Sequence, residues 1–142
     1  MRLFGHPIHP MLVHFPVALW ALATAGDALT LAGVAAAWPL AWLCTAAGVA
    51  LAIPAMAAGL VDFAALAEEA VPVALRHMTL IGGAFTAYAT SLVLRSDGLA
   101  ALPSPALSAM AAGLAGLLLL TAGAWQGGQL VYRFGAGTSA RR

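Results

Sequence analysis

The sequence predicts an all-α integral membrane protein, a single-domain four-helix bundle behind a Pro/His-rich N-terminal segment. Three observations predict it. Of 142 residues, 63% are hydrophobic and 8% charged, whereas a soluble domain carries about 25% charged residues. Mean hydropathy is +0.95. No Asp, Glu, Lys or Arg interrupts the runs between Arg2 and Asp27, Asp27 and Asp62, Arg76 and Arg95, or Asp97 and Arg133. Crossing ~30 Å of hydrocarbon takes roughly 20 apolar residues, and each run is long enough. This composition excludes a soluble enzyme and a disordered tail. A net charge of +1, with six arginines and no basic stripe, excludes a nucleic-acid-binding module. Cys44 is the only cysteine, which excludes an internal disulfide and a thiolate metal cluster.

The elements follow in order. Pro7, Pro10 and Pro16 crowd the N-terminal segment, and each pushes its predecessor towards extended geometry. His6 and His9 are therefore expected in a stiff extended collar, with His14 at the mouth of the first span. A signal peptide is not expected, because the start lacks a basic region beyond Arg2 and the apolar run is too long. Spans are expected at about 14–34, 40–66, 73–94 and 105–132. Gly33 and Pro39 bracket the first turn, while Pro72 and Pro105 suit first-turn positions of the third and fourth helices. Ser96-Asp97-Gly98 and Pro103-Ser104-Pro105 mark the last loop. Pro54 should kink the second helix by removing the bond to the Ala50 carbonyl.

Four spans put both termini on one side. Arg2, Arg76, Arg133, Arg141 and Arg142 fall on that side and Arg95 on the other, which predicts cytoplasmic termini. Trp38 and Trp42 are then expected at the outer interface, and Asp27 as a polar helix end at the outer surface. Gly48, Ala52, Ala55 and Gly59 share neighbouring faces of the second helix, and Gly113, Gly116 and Gly123 recur on the fourth. Such small residues let helix backbones approach in lipid. No repeat at solenoid spacing is visible, and the halves do not read as inverted copies.

The remaining polar residues collect at the end where the termini lie. His6, His9 and His14 come from the start of the chain, Asp62 from the end of the second span, and Arg76 and His77 from the start of the third. Gln126, Gln129 and Arg133, spaced i, i+3, i+7, share a face of the fourth beside Tyr132. Ionisable groups at membrane depth are functional candidates. Each also has a plainer reading. Imidazoles anchor at headgroups, Asp62 satisfies an arginine or a histidine N–H, Glu68 and Glu69 solvate a loop, and the terminal arginines bind anionic lipid.

The stretch Gly5-His6-Pro7-Ile8-His9-Pro10-Met11-Leu12-Val13-His14-Phe15-Pro16 resembles the start of the bacterial family called domain of unknown function 2231. Asp27, Gly59-Leu60-Val61-Asp62, His77 and the closing run from Gly127 to Gly135 are similar to that family as well. The likeness runs over about residues 3–137. It implies a four-span protein of the bacterial cytoplasmic membrane with no established activity. Relatives joined to Rieske iron–sulphur or cytochrome c domains imply redox partners. Phe134 stands where many members carry histidine.

Three functions stay open. A haem b protein carrying electrons would use His14 and His77 as axial ligands, with His9 able to replace His14. Arg76 and Arg133 would meet its propionates, and Gln129 and Tyr132 would lie beside it. A zinc or copper site would draw on His6, His9, His14, His77 and Asp62, a carboxylate that could instead orient a histidine from behind. A structural or assembly subunit of a respiratory-type complex, as a homo- or hetero-oligomer, would use its small-residue faces alone. No G-x-S-x-G, H-E-x-x-H, P-loop or dinucleotide motif points to a catalytic activity.

Overall fold

The computed structural model describes residues 2–3 and 6–137, with side chains from residue 7 onward. Gly5, Arg141, Arg142 and the side chain of His6 lie outside the described residues. Four helices, α1 (Ile8–Leu31), α2 (Ala37–Phe63), α3 (Val71–Leu94) and α4 (Leu107–Phe134), form an antiparallel bundle. Each is long and apolar enough to cross a membrane. A single 3-10 turn, Glu68–Ala70, leads into α3. Two-residue strands β1 (Arg2–Leu3) and β2 (His6–Pro7) pair ahead of α1. Strands β3 (Ser96–Asp97) and β4 (Ala100–Ala101) pair in the loop before α4.

The extended collar ends sooner than the prolines suggest. The extended stretch His6–Pro7 ends at Pro7, the N-cap of α1, and the helix starts at Ile8, so His9 lies in its first turn. Pro10 occupies the third helical position, where the amide has no acceptor within the helix anyway. Pro39 holds the same position in α2, which therefore starts at Ala37 rather than near residue 40. Pro16 and Pro54 sit inside helices, a cost that neighbouring helices offset in membrane proteins. The first helix stops at Gly33, whose φ of 94° lets its N–H reach Thr30 O while Val34 N–H reaches Leu29 O. That pattern satisfies two end carbonyls at once. Gly135, φ 65°, ends α4 in the same left-handed region.

Helix α1 packs along α2, and α3 along α4. Small residues make these contacts close. A Cβ on Gly26 would come 3.1 Å from that of Ala41, and one on Gly123 2.7 Å from Ile81 Cδ1. Between the two hairpins the core is filled by Trp20, Ala52, Ala84, Tyr88 and Leu120. Trp38 is buried against Ala109 and Met110, and its indole N–H donates to Leu102 O at 2.8 Å. It is thus a core residue and not the interfacial anchor expected. Trp42 is half-buried and donates to Ser96 Oγ at 2.8 Å.

Candidate functional site

Two imidazoles lie at the end of the bundle where the chain begins. His9, in the first turn of α1, bonds through Nδ1 to Ala55 O of α2 at 2.7 Å. His77, in the second turn of α3, bonds through Nδ1 to Gly123 O of α4 at 2.8 Å. A carbonyl only accepts, so each Nδ1 carries the proton, and in the neutral form of the ring the lone pair is then on Nε2. The residue four positions after each carbonyl is glycine, which uncovers the carbonyl and seats the ring. A Cβ on Gly59 would lie 2.9 Å from His9 Cε1, and one on Gly127 3.1 Å from His77 Cε1. Both rings are half-buried.

The other expected site residues gather less tightly. His14 is exposed on α1. Five residues separate it from His9, a turn of about 140° around one helix, so the two cannot share a face. Asp62 is half-buried in the last turn of α2. The imidazole N–H that a supporting carboxylate would take is already given to a backbone carbonyl in both histidines. Arg76 and Arg133 are exposed, the latter with its guanidinium 5.2 Å from the Phe134 ring centre. Gln129, Tyr132 and Arg133 line a shallow open groove on α4 with Trp125. Gln126 Oε1 is buried without a hydrogen-bond partner among the described residues. Among the described residues, no group of three or more His, Cys, Asp or Glu could hold a metal ion.

Towards the opposite end lies an ion pair. Asp27 is buried, not a surface helix end, and Arg95 is buried rather than a loop charge. Arg95 donates from one terminal nitrogen to Asp27 Oδ1 at 3.0 Å and from the other to Oδ2 at 2.8 Å. The second nitrogen also donates to Ser91 Oγ at 2.8 Å, and Nε donates to Ser91 O at 3.4 Å. The guanidinium stands 5.0 Å from the Trp38 ring centre. Between the ion pair and the histidines, Tyr88 stacks on Trp20, and its hydroxyl lies 2.9 Å from Thr24 Oγ1 and donates to Trp20 O at 3.2 Å.

A family model described as a predicted membrane protein, domain of unknown function 2231, matches residues 5–140. The chain belongs to this family. No curated protein and no solved structure matches it. Membership bears out the family resemblance and gives a predicted membrane protein without an activity.

Sequence reasoning missed Trp20, Tyr88 and the Asp27–Arg95 pair. The aromatics are two among many apolar residues, and the charges sit far apart in the chain. A signal was nevertheless present: an arginine and an aspartate each end a long apolar run, at depths where an unpaired charge is costly.

Proposed function

We propose that the protein is a membrane redox protein that holds haem b through His77 and His9 and passes electrons to a partner such as a Rieske or cytochrome c protein. One observation carries the reading: both Nδ1–H groups are fixed on backbone carbonyls, which orients each ring and leaves Nε2 free. Metal-ligating histidines are held in this way, with the outer N–H fixing tautomer and direction. The glycine seats at Gly59 and Gly127 fit the same role, because any larger residue would displace a ring.

Haem b, when bound, supplies one-electron exchange at its iron and asks the protein for only two axial imidazoles. A zinc ion asks for a tetrahedral set, and two histidines do not complete one. His9 replaces His14 as the second ligand in this reading, since His14 is exposed on another side of α1. Arg76 and Arg133, exposed at the same end of the bundle, are the cations for the propionates. The setting proposed is the bacterial cytoplasmic membrane, with the histidine end facing the cytoplasm.

The test is a reduced-minus-oxidised spectrum of protein produced with ample haem, beside His77→Ala, His9→Ala and His14→Ala. A b-type spectrum lost in the first two variants and kept in the third is expected. A wild type without that spectrum overturns the proposal and leaves the bundle a packing subunit. A spectrum that survives His9→Ala but not His14→Ala restores His14 as the ligand.

A further inference from the structure

The contacts of the first hairpin recur in the second. His9 bonds a carbonyl 46 residues ahead, and so does His77. Gly59 seats His9 as Gly127 seats His77, at the same offset. Gly48 approaches Trp20 so closely that a Cβ would lie 2.5 Å from Cδ1, and Gly116 approaches Tyr88 with 2.7 Å to Cδ2, again at one offset. Three of these coincidences would need separate explanations if the hairpins were unrelated.

The residues that match also meet. Trp20 and Tyr88 are 68 residues apart and stack with ring centroids at 4.6 Å and planes at 8°. Asp27 and Arg95 are 68 apart and form the buried ion pair. His9 and His77 are separated by that same interval. A residue meets its own equivalent only on a two-fold axis. Two such meetings at two depths along α1 and α3 lay that axis along the bundle, since these two helices run the same way. Repeats of this kind are parallel, not inverted.

We propose that the chain is two diverged copies of one two-helix unit, α1–α2 and α3–α4, each serving as the other's partner across the axis. The ion pair makes the match selective. Two identical units would set Asp against Asp or Arg against Arg on the axis, and buried like charges repel strongly. Only the unlike copies, tied in one chain, place opposite charges there. The inference does not depend on any ligand at the histidines.

Equivalence of the copies can be tested by exchanging axis residues in the full chain. In one chain Asp27→Arg and Arg95→Asp are combined with Ala23→Ser and Thr45→Gly. These changes rebuild around position 27 what Ser91 and Gly113 provide beside Arg95. In a second, Trp20→Tyr is combined with Tyr88→Trp, because Gly48 and Gly116 offer matching seats. Arg95→Asp alone is the like-charge control, expected to be lost from the membrane fraction. At least one exchanged chain should insert, run as a single species in detergent and melt within ~10 °C of wild type. Collapse of both exchanged chains to the level of the control overturns the proposal.

Discussion

Arg95 closes on Asp27 through two parallel N–H···O bonds while both side chains are almost wholly removed from solvent, at 1% and 5% exposure. The pair joins α1 to the end of α3, and Nε and the second terminal nitrogen of Arg95 also reach Ser91 and the Ala109 carbonyl. Its neutral geometry explains how two full charges persist in an apolar bundle.

Removing one partner should therefore cost far more than removing both. Arg95→Leu leaves a buried carboxylate without its cation, and breaking such a pair is expected to cost about 3–5 kcal/mol. Replacing both, as Asp27→Leu with Arg95→Leu, should restore most of that loss, since well-packed apolar groups often match a buried pair. Unfolding midpoints of the two single variants and the double variant in detergent give the coupling directly. A double variant as unstable as the sum of the singles would contradict the pairing.

Glycine positions offer a contrast within one protein. At Gly116 a new Cβ meets the Tyr88 ring at 2.7 Å, and that ring cannot retreat because it lies flat on Trp20. Gly116→Ala should cost about 1–3 kcal/mol through overpacking. Gly82 has nothing within 4 Å of the same atom, so Gly82→Ala should be neutral or stabilise α3 by up to about 1 kcal/mol. Thermal midpoints of the two variants should move in opposite directions or, at the least, be widely separated.

The four helices were legible because hydrophobic runs bounded by charges are a strong signal. Their starts were less so, since Pro10 and Pro39 look like breakers yet fall in the first turn, where no N–H is needed. That error carried forward to the site: with α1 begun at His14, both His9 and His14 seemed available, whereas a helix from Ile8 turns them apart. The pairing of Trp20 with Tyr88 and of Asp27 with Arg95 depends on how two hairpins dock. No local pattern records it, and the copies share few identical residues.

The Tyr88 hydroxyl is a smaller but cleaner test of the core. It is shared between Thr24 Oγ1 and the Trp20 carbonyl, which also accepts from Thr24 at 3.1 Å. Tyr88→Phe keeps the stacked ring and removes only these bonds, so a loss of about 0.5–1.5 kcal/mol is expected. Tyr88→Ala should cost about 3–5 kcal/mol, because the ring's packing against Trp20 goes as well. Equal losses in the two variants would mean that the hydroxyl, and not the stack, holds the hairpins together.

Burial of Arg95 also changes the argument for orientation. Counted as a loop charge, it opposed the five arginines at the other end; paired inside the bundle with Asp27, it no longer acts as a topology signal. Neither the loop after α1 nor the loop before α4 carries another Lys or Arg. The end holding Arg2, Arg76 and Arg133 is then unopposed among the described residues, which strengthens the expectation that it faces the cytoplasm. Leu99, 96% exposed between β3 and β4, and Glu69, exposed in the 3-10 turn, report on opposite ends. In a Cys44→Ser background, Leu99→Cys should react with an impermeant maleimide added to intact spheroplasts, and Glu69→Cys should react only after lysis. The reverse labelling would invert the bundle and place the histidine end on the outer side.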